Sequence, residues 1–220
     1  MFQAVLFDWD GTLADTKAFV VAAFQRVLRK NGWEVDNELI ERCMGIGPRN
    51  TLKEALCVID VAFDDDLIHR LEAEKVAVQL ATTPSVRLFD GARSLLDALQ
   101  GKVKTALATM SNRPVIDQLL AEKGIGVYFD LVLTFDDIRR PKPDPEVFLT
   151  CAARLQCLPE DCVVVEDSVF GVEAAKAAHM SCIAIPSGSY SREELKATGA
   201  DRVVTSLTAT RELLAFILQE

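Results

Sequence analysis

Hydrophobic and polar positions along this chain keep two different rhythms. Short, almost unbroken apolar runs recur at 4–7 (AVLF), 103–109 (VKTALAT), 131–135 (LVLTF), 162–166 (CVVVE) and 182–186 (CIAIP). Runs this short and rich in β-branched residues predict strands buried on both faces. Between them the apolar positions fall at helical spacing. One helix follows Gly91 with Leu95, Leu96 and Leu99. Another follows Pro114 with Ile116, Leu119 and Leu120 and stops at Gly124. A third begins with Asp144 as N-cap and Pro145 as its first residue, burying Val147, Phe148, Cys151 and Leu155. Strands alternating with helices predict right-handed crossovers and a parallel sheet covered on both sides.

Residues 16–85 break this alternation and read as helix throughout. Val20, Ala23, Phe24, Val27 and Leu28 share one face, and Asn31-Gly32 ends that element. The segment TLKE at 51–54 has the spacing of a capping box, FDDD at 63–66 places acidic residues at a helix start, and Leu67, Ile68 and Leu71 mark the helix itself. The expected organisation is an α/β core of residues 1–15 and 86–220, interrupted by a helical insertion at 16–85. Such an insertion, leaving after the first strand, lies over the carboxyl ends of the strands, where open α/β sheets bind ligands.

Composition narrows the partners. The 220 residues carry 50% hydrophobic side chains, enough for one full core, and a net charge of −9. That charge argues against a nucleic-acid groove or an anionic membrane surface, yet a few local cations and a metal still suffice for a small phosphate. No apolar run approaches the roughly 20 residues of a bilayer span, and no signal peptide is evident. The six cysteines form no CxxC pair, and most of them, lying in apolar sequence, read as buried free thiols. A cytoplasmic protein is the expectation.

The chemistry gathers where the predicted strands end. Asp8 and Asp10 follow the first, Thr109 ends the second, Lys142 lies in RPKPDP after the third, and Glu166-Asp167 close the fourth. A parallel sheet brings all of these to one edge. Four carboxylic acids in one crevice cannot all stay ionised without a counter-charge, and Mg²⁺ with oxygen ligands is the simplest remedy. Pro141 and Pro143 restrict the backbone that presents Lys142. The turn after Thr109, Met110-Ser111-Asn112, offers backbone N–H groups, and the helix beyond adds positive potential. A nucleophile, a second carboxylic acid, a metal and phosphate donors make a phosphoryl-transfer site. His69 and His179 lie on presumed helices away from every strand end and read as structural.

DWDGT at 8–12, the strand-terminal Thr109, the Lys142 loop and VVVEDS at 163–168 occur in the order of the haloacid dehalogenase (HAD) superfamily, which the chain resembles over nearly its whole length. The insertion directly after DWDGT is similar to the subfamily with a small helical cap, which includes phosphoglycolate-phosphatase-like and β-phosphoglucomutase-like enzymes. The resemblance implies a Rossmann-like parallel sheet core with an inserted α-helical cap domain. It implies that Asp8 attacks phosphorus to form an aspartyl phosphate, and that Asp10 acts as proton donor and then acceptor. Thr109 and Lys142 would hold the transferring group. Asp8, Asp10 through its carbonyl, Asp167 and Glu166, directly or one shell removed, would hold Mg²⁺. Gly11, Thr12, Met110, Ser111 and Asn112 would bind substrate, with Arg49 in GIGPRN reaching the leaving group.

The expected reaction is hydrolysis of a small phosphomonoester: a sugar phosphate, a sugar-acid phosphate or phosphoglycolate. The second aspartate, Asp10, speaks against a dehalogenase. Pro48 and Arg49 stand near the place of the Schiff-base lysine of phosphonoacetaldehyde hydrolases. The mutases resemble this chain more closely, but usually carry a histidine where it has Val20. Phosphatase is therefore preferred over phosphotransferase. A non-catalytic phosphate sensor on the same scaffold has less to recommend it, because a binder need not keep both nucleophile and acid.

Overall fold

The computed structural model describes residues 1–219. Its main sheet has six strands: β1 (Ala4–Phe7), β4 (Lys104–Ala108), β5 (Leu131–Leu133), β6 (Cys162–Glu166), β7 (Ser181–Ala184) and β8 (Arg202–Val203). They lie in the order β5-β4-β1-β6-β7-β8, and every neighbouring pair is parallel. The two missing numbers are short: β2 (Ala14–Asp15) and β3 (Arg87–Leu88) form an antiparallel ribbon.

Strand parity divides the interior into two layers, because successive side chains of a strand point to opposite faces. Val5 and Phe7 of β1, Leu107 of β4, Val163 and Val165 of β6 and Ile183 of β7 face one cluster. That cluster includes residues of α5 (Ala92–Leu99), α6 (Arg113–Lys123) and α10 (Thr210–Leu218). Ala4, Leu6, Ala106, Ala108, Val164 and Cys182 face the other, with residues of α7 (Glu146–Leu155), α8 (Val169–Ala177) and α9 (Arg192–Ala197). Both faces of β1 are thus dry, which its unbroken apolar sequence requires. Each large side chain sealed this way contributes about 1.5–3 kcal/mol.

Between β2 and β3 run four helices: α1 (Lys17–Lys30), α2 (Asn37–Arg42), α3 (Pro48–Val58) and α4 (Asp65–Leu80). The ribbon draws the two connections of this insertion together, Ala14 against Leu88 and Asp15 against Arg87. Asp64 caps α4 by accepting from the Leu67 amide at 2.8 Å, as the FDDD run predicts. Ser191 and Glu194 form the capping box of α9. Cys57 is exposed and the other five thiols are buried and free. No helix among the described residues is long and apolar enough to cross a membrane.

Local expectations fail in five places. The run 103–109 stops being strand at Ala108, so Thr109 stands just beyond the sheet, and 131–135 shortens to Leu131–Leu133. Helix α3 starts at Pro48, with Gly47 as N-cap, rather than at a capping box on Thr51. Thr51 is already inside the helix, its hydroxyl donating to the Gly47 and Cys43 carbonyls. Pro at the first helical position outweighs the TLKE pattern. In α7, Pro145 takes the N-cap position expected of Asp144, whose carboxylate nevertheless accepts from the Glu146 amide at 3.0 Å. His179 lies in the turn after α8, with a φ of 60°, not in a helix.

Candidate active site

Register alone assembles the centre of the site. Phe7 pairs with Leu107 on one side and with Val165 on the other, so the next residue, Asp8, lies level with Ala108 and Glu166. Lys142 enters this row from the loop ahead of α7. Its ammonium donates to Asp8 Oδ1 at 2.8 Å, Glu166 Oε1 at 2.6 Å and the Ala108 carbonyl at 2.9 Å. Every N–H of the lysine is used, the Phe148 ring lies 4.9 Å away, and the side chain is 0% exposed. Burial alone would lower its pKa; Asp8 and Glu166 outweigh that and raise it above the ordinary lysine value. It is a permanent cation.

Asp8, Glu166 and Asp167 are buried, with one oxygen from each within 4.8 Å of the others. Desolvation first, then Glu166 and Asp10 for Asp8 and Glu166 and Asp8 for Asp167, push the two well above the usual carboxylate range, while Lys142 opposes the rise. Three buried carboxylates against one ammonium leave a deficit of two charges, which suits a hard divalent cation. Two of the three have oxygens free for it. Asp167 accepts only a 3.2 Å hydrogen bond from the Thr12 hydroxyl, and Asp8 only the lysine. Glu166 is committed: Oε1 to Lys142, and Oε2 to the Asp167 amide, the Ser168 amide and the Ser168 hydroxyl at 3.0–3.1 Å.

Space around Asp167 is kept by two glycines. A Cβ at Gly11, whose φ is +79°, would lie 2.1 Å from Asp167 Oδ2, and one at Gly188 would lie 1.8 Å from the same oxygen. Neither contact leaves room for a side chain.

Asp10 stands beside this cluster and faces the turn after β4. Its Oδ2 accepts from Ser111 Oγ at 2.6 Å and from Thr109 Oγ1 at 3.4 Å, while Thr109 Oγ1 accepts from the Ser111 amide at 3.0 Å. The expected residues thus fall into three groups. Asp8, Asp10, Gly11, Met110, Ser111 and Asp167 line the cleft, whereas Lys142, Glu166, Thr109 and Thr12 stand behind them. Asn112 and Arg49 do neither: the Asn112 amide is held by Lys75 and Glu72, and Arg49 pairs with Glu72.

The insertion supplies the opposite wall, with Lys17, Val20 and Phe24 of α1, Met44, Gly45 and Gly47 of the loop ahead of α3, and Lys75 of α4. Lys75 was not legible as a site residue. It sits in LEAEKVAV, where polar and apolar residues alternate as on any surface helix, yet it is 2% exposed. Burial lowers it to about 8, with Asp10 and Glu72 partly opposing. Ser187 and Gly188 were missed likewise; the turn-forming run PSGSY after β7 was the available signal.

Residues 5–185 match the haloacid dehalogenase-like hydrolase family. The chain belongs to that family. It is 33% identical to the fructose-1-phosphate phosphatase YqaB of Escherichia coli over 83% of its own length and 95% of that protein's. It is 35% identical to a phosphorylated carbohydrates phosphatase of Thermotoga maritima, covering 80% and 81% of the two chains. Among solved structures, the β-phosphoglucomutase of Clostridium difficile superposes over 100% of both chains, with a TM-score of 0.86 and 25% identity. The enzyme class these relatives support is phosphoric monoester hydrolase.

Proposed function

We propose that this HAD-like hydrolase is a Mg²⁺-dependent phosphatase of small phosphomonoesters, sugar phosphates first among them, working through an aspartyl phosphate on Asp8. The observation that carries the reading is the Lys142 ammonium bridging Asp8 and Glu166 at the sheet edge, with Asp10 beside them. Asp8 attacks phosphorus as the ester P–O bond breaks, and Asp10 gives the leaving oxygen its proton. Water then attacks the acyl phosphate and yields its proton to Asp10, which restores free Asp8. Lys142 favours the ionised form of Asp8 against its burial and balances charge on the transferring group. Thr109 and Ser111 hold Asp10, and Ser111, which lines the cleft, binds phosphoryl oxygens. Asp8, Asp167 and the Asp10 carbonyl would hold Mg²⁺, which supplies further charge stabilisation to those oxygens. Glu166, with both oxygens engaged, orients Lys142 rather than ligating. The helical insertion serves as a cap that excludes water from the cleft.

Val20 favours hydrolysis over phosphoryl return to a sugar. It lines the cleft on the first cap helix as an apolar, buried side chain, so this position offers no proton carrier for a second hydroxyl.

The test is Mg²⁺-dependent phosphate release from p-nitrophenyl phosphate and a panel of sugar phosphates, with Asp8→Asn in parallel. Release by the wild type and its loss in Asp8→Asn are expected. A folded wild-type protein that releases phosphate from none of them overturns the proposal in favour of a phosphate-binding sensor. Conversion of a sugar 1-phosphate to its 6-phosphate without free phosphate would make it a mutase.

A further inference from the structure

Two cations of the insertion come near the cleft and are disposed in opposite ways. Lys75 lines it, its ammonium donating to Asn112 Oδ1 at 3.2 Å and lying 5.5 Å from the Phe24 ring centre. Arg49, one residue beyond the cleft-lining Pro48, is turned aside. Its Nε donates to Glu72 Oε2 at 2.6 Å, its guanidinium lies over the Phe135 ring, and its side chain is 43% exposed. Glu72 is the element that separates them. Its carboxylate is 9% exposed, and its second oxygen accepts from Asn112 Nδ2 at 2.9 Å. One buried anion therefore holds both the cap arginine and the asparagine next to Ser111.

The charge balance of the leaving-group half of the cleft follows. Set aside Asp8, Asp10 and Asp167, which serve the phosphoryl group and metal. The charged residues left along the lining are Asp15, Lys17, Glu41 and Lys75, two of each sign. Lys17 is itself tied to the Gly188 carbonyl at 3.0 Å and lies 3.7 Å from Glu41. A second phosphate on the leaving group carries about −1.5 to −2 charges and would meet a wall of zero net charge. A polyhydroxyl group meets hydrogen-bonding partners without that mismatch.

We infer that Glu72 is a specificity-determining residue: by claiming Arg49 it denies the cleft a third cation and selects a neutral, hydroxyl-rich leaving group over one bearing a second phosphate. The inference rests on the phosphatase reading and narrows its substrate class. It uses exclusion as much as attraction, since specificity is a difference between competing affinities.

The experiment compares kcat/KM for fructose 1-phosphate and fructose 1,6-bisphosphate, each relative to p-nitrophenyl phosphate. It uses the Mg²⁺-loaded wild type, Glu72→Gln, Arg49→Ala and the double variant. The wild type is expected to prefer the monophosphate by at least about tenfold. Glu72→Gln frees Arg49 and shifts the ratio roughly tenfold toward the bisphosphate, mainly through KM. Arg49→Ala leaves the Glu72 charge unbalanced and moves the ratio the other way. The double variant loses the gain of Glu72→Gln. Because Arg49 is half exposed, Arg49→Ala tests the idea even if Glu72→Gln fails to fold. A wild type indifferent to the second phosphate, or a ratio that neither single variant moves by more than twofold, overturns the inference while leaving the phosphatase intact. Absence of release from all three esters, p-nitrophenyl phosphate included, overturns both.

Discussion

Lys142 shows how much one side chain can be made to carry. It is the only cation in contact with Asp8 and Glu166 among the described residues, and it spends every proton on them and on the Ala108 carbonyl. Removing one partner of a buried ion pair is far costlier than never having built it, because the other charges stay behind without water. Lys142→Met is therefore expected to lower unfolding free energy in urea by about 3–5 kcal/mol in metal-free buffer. Turnover should fall by at least about a thousandfold, as for loss of a charge-stabilising donor. Lys142→Arg should not rescue either quantity, since a planar guanidinium cannot point three bonds at Asp8, Glu166 and a carbonyl from the same place. An Arg variant with near-normal turnover would show that charge alone matters there. The position of Lys142 at the strand ends was readable from its place after a strand. Its pairing with Glu166, which occupies one oxygen of that carboxylate, was not, because it depends on side-chain direction within a buried row.

Elements were legible in proportion to how far their own sequence decides them. The apolar runs of β1, β4, β6 and β7 leave little choice but a doubly covered sheet, and both the parallel pairing and the gathering of strand ends follow. The two-residue strands β2, β3 and β8 carry no such signal; partners across the fold hold them in place. Glu72 and Lys75 escaped for a related reason. Helix α4 reads as a surface helix, and only its docking on the Asn112 turn, 37 and 40 residues away in sequence, buries those two charges. The loop after β7 is the case with the sharpest consequence. Gly188 approaches Asp167 Oδ2 so closely that a Cβ would lie 1.8 Å away, and the carboxylate would have to move. Gly188→Ala is thus expected to raise the Mg²⁺ concentration for half-maximal turnover by about 10–100-fold, the usual effect of disturbing the support of a metal ligand. A Mg²⁺ titration of initial rates reads this directly. An unchanged midpoint would mean that Asp167 is not a ligand or that the loop yields freely.

For the whole molecule, the buried thiols couple the core to alkaline pH. Cys151 of α7 packs beneath the sheet, fully buried, and burial pushes its thiol from an ordinary value near 9 up to about 12. Cys182 of β7 is raised by burial in the same way. The folded-state value lies above the unfolded one, so below pH 9 both states hold the proton and this contribution to stability is complete. Above pH 9 the unfolded chain releases its thiol proton while the folded one retains it, so stability falls by up to about 1.4 kcal/mol per pH unit for each such group until the folded thiol titrates. Lys75 acts in the opposite sense. Its folded value of about 8 lies below an ordinary 10.5, so its burial becomes less costly as pH rises between them. Separating the two requires a variant. Cys151→Ala should lose about 1 kcal/mol or somewhat more at pH 7, from lost packing. It should also show a shallower decline than the wild type between pH 9 and 10.5, gaining up to roughly 2 kcal/mol on it over that interval, so that the two stability curves meet or cross. Urea unfolding under a phosphine reductant, which keeps every thiol reduced, provides both curves. Parallel curves across the interval would assign the alkaline loss to other groups and remove Cys151 from the account.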